Sequence, residues 1–463
     1  MIPKRISGLM RMTLILLTLL TAAAGCSDGF TGPEDGFPIR TETSRTVIPT
    51  TVATTTTRPE TPPDTIAQAV VKELTAPAYA GRLAGTEGNE AAADHIASLM
   101  LNTGLRPIFG NSFFQTYRQT VFNPDAQGTR VVITTPEYRR TELTAGRDFI
   151  TNPAFSPVSL FGLMDFEAIT PGSSRSAPVV VSPGVDINAF SAPVVFRAVD
   201  FFRLTPQEFA SGTKFQVQIS GLMKDMLQMN GVSRVQVTSQ AYRQEKQLRN
   251  VAAAIEGTGS QRNAIVLMAH FDHYGQQGDV LFPGALDNAS GVGVLLSLAD
   301  RIQSRLVREG VRLKSDIVFA AVNSGIYQYG TRTFPGSRAL LETLKQKYED
   351  LVLINVDRVG SPTAGPLNLA PLSPQSSILT DSLKPLLDAQ DIPHQEKPAV
   401  PSDHHWFVAE GKAAVTLSQD LSQARMSILT DVAEKLDYRY LARLSAAVGE
   451  FVVTQGDTMF NRN

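Results

Sequence analysis

Apolar residues recur along this chain with two different periods, and the change between them divides it. From Thr65, the positions Ile66, Val70, Val71 and Leu74 keep helical spacing. The stretch Gly81–Gly88 breaks the pattern, and a second helix is predicted from Asn89 to about Gly104, with Ala93, Ile96, Ala97 and Met100 on its apolar face. Between about 152 and 247 the pattern shortens to β-rich pieces such as Pro178–Ser182, Pro193–Phe196, Phe215–Ile219 and Arg234–Thr238, separated by turn residues. From Asn250 onward strands and helices alternate. Ala264–Ala269, Asp316–Val322, Val352–Val356 and Ala413–Leu417 read as buried strands. Val292, Leu295, Leu296, Ala299 and Ile302 read as a helix capped by Ser290, and Tyr438–Val453 as the closing helix. The prediction is an α/β domain made of 65–151 and 248–456, interrupted by a β-rich insertion over 152–247.

The N-terminus follows neither period. Lys4, Arg5 and Arg11 precede an apolar run from Met12 to Leu20 and the small residues of Thr21–Gly25, the layout of a secretory signal over 1–25. The run is shorter than the roughly 20 residues a permanent span requires. Ala23-Ala24-Gly25-Cys26 resembles a bacterial lipobox, which would put lipid on Cys26; the alternative is an ordinary signal with an incidental cysteine. Cys26 is the sole cysteine, so a disulfide framework is excluded. Residues 26–64, dense in Thr, Pro and Gly, cannot form a core and are expected to be a disordered tether or simply an unstructured terminus. The expected location is the bacterial cell envelope, on its periplasmic or extracellular face, with the membrane reached through the lipid. Lys plus Arg number 42 against 44 Asp plus Glu, a balance that gives no electrostatic case for nucleic acid.

The chemistry concentrates after one strand. His270 ends the apolar run from Val266, Asp272 follows two residues on, and Asp287-Asn288-Ala289-Ser290-Gly291 opens a helix, together a metal-ligand layout. In α/β sheets, ligand sites gather beyond the carboxyl ends of the strands. His270 and Asp357 each follow a strand, so both are expected at one edge.

These segments resemble the co-catalytic di-zinc aminopeptidases, metallopeptidase family twenty-eight. The resemblance rests on Gly81-Arg82 with Gly85–Gly88, Asn250-Val251 with Ile255–Gly257, His270–Asp272, Gly284–Gly291, Ile354–Asp357, Ser402–His404 and Asp431–Asp437. It implies a mixed, mostly parallel sheet flanked by helices, and a protease-associated-like insertion. It further implies that His270, Asp287 and Asp357 bind metal, Asp287 as the bridging ligand, while Asp272 orients His270 through its second ring nitrogen. A polar cluster without metal is the alternative for these four residues.

The rest of the family's apparatus is missing. Where the family has a Glu-Glu pair, general base and second-metal ligand, this chain has Ser324 and Gly325, and no Asp or Glu occurs between Asp316 and Glu342. Where the family has the second metal's histidine, this chain has Ser427, and no histidine follows His405. Zinc is therefore expected as one ion at most. His404 is a candidate pocket residue, replacement ligand or base; Tyr327, Tyr329 and Trp406 are candidate pocket walls.

Three functions remain open on the sequence. One is an envelope protein with impaired or lost peptidase activity that binds a peptide or another envelope protein, for which the non-catalytic transferrin receptor is the family precedent. Another is an active exopeptidase using one zinc and a substitute base. The third is an architectural lipoprotein without metal. Reinstating Ser324→Glu, Gly325→Glu and Ser427→His together is expected to restore a second metal.

Overall fold

The computed structural model describes residues 61–164, 166, 178–181, 185–187, 190–205, 213–231, 234–326, 333–421 and 428–460. The segment 1–25, Cys26, the tether up to residue 60, Tyr327, Tyr329 and Ser427 lie outside the described residues.

Helices α1 (Thr65–Leu74) and α2 (Glu87–Asn102) form where the apolar spacing predicts them, and each begins at a side-chain cap. Asp64 accepts from the Ala67 N–H and Thr86 from the Asn89 N–H, satisfying donors that the first helical turn leaves free. Two strands follow, β1 (Arg106–Pro107) and β2 (Phe114–Val121).

The β-rich region comprises β3 (Arg130–Thr134), β4 (Arg140–Leu143), β5 (Phe149–Thr151), β6 (Val158–Gly162), β7 (Val179–Val181), β8 (Val194–Val199), β9 (Phe215–Ser220), α3 (Gly221–Met229) and β10 (Arg234–Ser239). The strands form two four-stranded sheets, ordered β4-β3-β10-β6 and β5-β9-β8-β7. Val131, Phe149, Phe196, Val217, Val235 and Val237 are buried together in the core they share. These sheets thus draw on strands from Arg130 to Ser239. Residues 244–248 belong to β11 (Gln244–Ile255), whose first eight residues pair with β2.

The remaining elements are β12 (Asn263–His270), a hairpin of β13 (Gln276–Gln277) and β14 (Val280–Leu281), α4 (Ser290–Glu309), β15 (Asp316–Val322), α5 (Pro335–Lys347), β16 (Asp350–Val356), β17 (Leu367–Asn368), α6 (Ser376–Asp388), β18 (His394–Gln395), α7 (His405–Ala409), β19 (Ala413–Gln419) and α8 (Tyr438–Gln455). Among the described residues the main sheet has nine strands in the order β1-β11-β15-β12-β16-β19-β17-β18, with β2 added on β11. Its centre, β15-β12-β16-β19, is parallel, while β11 and β17 run antiparallel to their neighbours β15 and β19.

Both faces of this centre are covered. Ile265, Leu267 and Ala269 of β12 join the core formed with α1, α2, α4, α6 and α8, whereas Ala264, Val266 and Met268 join the core formed with α5 and α7. Burial on both sides is why these strands read as unbroken apolar runs. The parallel register sets His270 opposite Val322 and Met268 opposite Asn355. Residues just past β12, β15 and β16 therefore emerge level with one another.

Candidate metal centre

That edge carries a converging set of ligand atoms. His270 Nε2 lies 3.5 Å from Asp287 Oδ1 and 3.6 Å from Asp357 Oδ1. One ligand atom from each residue lies within 4.8 Å of the others, and among the described residues no other His, Cys, Asp or Glu group converges in this way. Imidazole nitrogen and carboxylate oxygens are zinc's usual partners, so the three residues fit one zinc.

The charges are mutually supporting. Burial works against a protonated imidazole, but Asp272, Asp287 and Asp357 together hold His270 well above its ordinary range. Burial likewise opposes ionisation of Asp357, but Arg358 and His270 hold its carboxyl well below the usual range. Asp287 is also held low, by His270, His273 and Arg358, against the cost of desolvation.

Asp272 stands on the other side of the imidazole. His270 Nδ1 is 3.5 Å from Asp272 Oδ1 and 3.2 Å from its carbonyl oxygen, the position of a group that sets ring orientation and tautomer. The fully buried Asp272 carboxylate also accepts from the backbone N–H groups of Gly325 at 2.7 Å and Ile326 at 3.3 Å. The histidine is thereby tied to the segment that follows β15.

The turn carrying Asp287 is held from three directions. Asp431 accepts from the Leu286 N–H at 2.6 Å and the Asp287 N–H at 3.2 Å; burial pushes its carboxyl up to about 6 despite these donors. Asn288 Oδ1 accepts from the Gly291 and Arg358 N–H groups, and its Nδ2 donates to the Val356 carbonyl, linking the turn to the end of β16. Arg82, fully buried, donates to the carbonyls of Leu74, Phe271, Pro283 and Gly284. One guanidinium thus joins the end of α1, the loop after His270 and the start of the Asp287 turn. Ser290 does not cap α4: its hydroxyl donates to the Leu286 carbonyl, because the chain is already coiled over Ala285–Ala289 and the Ser290 N–H bonds to Ala285.

The two positions lacking glutamate are now clear in space. Ser324 is buried, adopts a left-handed φ of 67°, and its hydroxyl lies 3.0 Å from the Tyr117 hydroxyl. Gly325 packs against the imidazole so closely that a Cβ there would lie 2.4 Å from His270 Cγ. The simple restoration of glutamates expected above is thus obstructed at Gly325, since any side chain requires His270 to move.

His404 is buried, with Nδ1 2.7 Å from Thr416 Oγ1, and burial pushes it down to about 4, leaving it neutral. It joins neither the ligand group nor the lining of the cavity beside it. Trp406 donates to the Thr333 carbonyl.

That cavity, about 180 Å³, is lined by His270, Asp287 and Asp357 together with Phe334, Arg358, Val400, Pro401 and Thr205. Thr205 follows β8, so the β-rich region supplies part of the wall. A larger cavity of about 890 Å³ lies by α4 and α8. Of its lining arginines, Arg305 is paired with Glu309 and Glu450 and Arg308 with Glu309, and among the described residues no metal-ligand group converges there. Asn288 and Asp431 lie in segments that carry the resemblance, but their bracing contacts, and that of Arg358, depend on loop geometry rather than spacing.

A sheet with a parallel centre, helices on both faces and a histidine–carboxylate group past the strand ends defines a zinc-aminopeptidase-like fold. The structure is similar to a zinc aminopeptidase from Bacillus subtilis (TM-score 0.60, 18% identity, 85% of this chain and 95% of that one). It is also similar to a peptidase M28 precursor from Shewanella amazonensis SB2B (0.58, 14%, 86% and 98%) and to an aminopeptidase from Aneurinibacillus sp. strain AM-1 (0.54, 17%, 84% and 93%). At these identities the likeness is one of fold. No curated protein matches the sequence. Residues 250–452 match the model of Peptidase family M28.

Proposed function

We propose that this chain is a zinc-binding member of the family with impaired or lost peptidase activity, which holds a peptide end or an envelope partner at the cavity beside His270. The observation that carries this reading is the contact of Gly325 with His270, which leaves no space for a carboxylate beside the imidazole where the family has one. Ser324, its neighbour, neither accepts a proton at neutral pH nor holds a dication. Loss of a general base alone removes about 10²- to 10⁴-fold in rate.

The ligand set is nevertheless intact for one ion. A bound zinc would polarise a carbonyl or lower the pKa of a water. Around it, His270, Asp287 and Asp357 would bind, Asp272 would orient the imidazole, and Asp431 and Asn288 would hold the Asp287 turn. A cavity of about 180 Å³ falls below the usual range for whole small-molecule ligands, which suits a single terminal residue. The lipobox-like segment ending at Cys26 supports attachment to the envelope through lipid. The retained ligands favour a second reading, an exopeptidase working with one zinc.

Metal analysis and activity of the full-length chain separate them. The proposal expects about one zinc per chain, weak or no release of terminal residues from aminoacyl substrates, and peptide binding that His270→Ala weakens. Rapid, chelator-sensitive cleavage would establish the exopeptidase instead. A chain without zinc, in which His270→Ala changes nothing, would leave only an architectural role.

A further inference from the structure

The cavity contains a permanent cation of the protein's own. Arg358 follows Asp357 directly, and adjacent side chains ordinarily diverge. Here Arg358 has a left-handed φ of 56°, with its N–H donating to Asn288 Oδ1 at 3.0 Å and its carbonyl accepting from the Gln419 N–H at 3.3 Å. The backbone is fixed on both sides, and the side chain folds back over its neighbour. Nε lies 3.1 Å from Asp357 Oδ1 and Nη2 3.1 Å from Asp357 Oδ2, a two-pronged pair of the kind that planar guanidinium favours. Asp287 also contributes to holding the charge there, and the side chain lines the cavity with the metal ligands.

We propose that Arg358 supplies the positive charge a second metal would otherwise bring to this site, limiting the site to one zinc and weakening its hold on that ion. The inference rests on the one-zinc reading above. A neutral imidazole, two carboxylates and one zinc sum to zero charge. Arg358 adds a positive charge to this ligand set and occupies an acceptor direction on each Asp357 oxygen, so the carboxylate is a poorer ligand than an unpaired one. A second dication would meet the guanidinium in the same small cavity. Arg358 is in this sense a positioning and charge-setting residue.

Zinc binding to the metal-free, full-length chain tests this, measured by competition with a chromophoric chelator at pH 7 and by the zinc-induced rise in Tm. Arg358→Gln and Arg358→Met are expected to bind zinc at least ten-fold more tightly than the wild type and to gain more Tm from it. Arg358→Lys, which keeps the charge without the fork, should stay within a few-fold of wild type. Equal or weaker binding in the folded Gln or Met variant overturns the proposal. Should both variants fail to fold, the wild-type chain still decides: uptake of a second zinc that Asp287→Asn abolishes overturns it, and saturation at one supports it. His270→Ala identifies the other failure, because zinc binding that survives this change refutes the one-zinc reading itself, whatever Arg358 does.

Discussion

Gly325 and His270 are packed backbone against ring, with space for no atom between them: a Cβ on Gly325 would lie 2.4 Å from His270 Cγ and 2.6 Å from its Cβ. The contact is fixed by the parallel pairing of β12 with β15, which sets His270 opposite Val322, and by the 2.7 Å bond from the Gly325 N–H to Asp272. The packing at this point thus leaves no room for any side chain at position 325 while His270 keeps its place.

Gly325→Ala is expected to displace the imidazole. Forcing atoms into a close-packed interior costs about 1–3 kcal/mol, and the displaced ring would lose its alignment with Asp287 and Asp357. The variant should show a lower Tm and weaker zinc binding by chelator competition. A variant with wild-type values in both would show that the loop after β15 yields easily.

Asp431 acts on the metal centre through the backbone of the Asp287 turn. Asp431→Ala leaves the buried Leu286 N–H and the Asp287 N–H without their acceptor, a loss on the order of 2 kcal/mol or more. Asp431→Asn, which retains one oxygen, should lose less. Thermal melts rank the three proteins, and faster amide exchange at Leu286 in the alanine variant would locate the loosening at the turn. Unchanged exchange there would refute the bracing role.

Asp403 predicts a pH dependence. It is fully buried, neither carboxylate oxygen has a hydrogen-bond partner, and the nearby Ser337 hydroxyl donates instead to the Phe334 carbonyl. Burial, with the adjacent Asp272 and Asp357 charges, pushes it up to about 7, against the attraction of His270. An aspartate in the unfolded chain titrates near 4. Between these values the folded state binds the extra proton, so the stability this group permits is greatest at low pH and falls as pH rises to about 7. Asp403→Asn removes the ionisation. Its Tm relative to wild type should rise between pH 5 and pH 8; a constant difference would mean that Asp403 does not titrate in this window.

The sequence by itself determined the ancestry, the α/β order after Asn250, and the ligand candidates His270, Asp287 and Asp357, because these depend on short-range facts. Buried parallel strands need continuous apolar runs, helices need a repeating apolar face, and metal ligation needs particular side chains. The sequence also revealed the absence of carboxylates after β15. Contacts between distant segments were decided only by tertiary structure. Nothing in the spacing brings Arg82 to four carbonyls, sets Asp431 beneath the Asp287 turn, or carries Thr205 to the cavity wall. The place of the strands from Arg130 is set by pairing with β10, a long-range choice. By sequence His404 is a candidate pocket residue, replacement ligand or base, and the fold buries it against Thr416. Arg358 has no assigned part in the sequence pattern, and a left-handed backbone turns it onto Asp357. Periodicity encodes which residues are buried and which elements form; only the packed chain decides which charges face one another, since that depends on loop geometry set by partners far away in sequence.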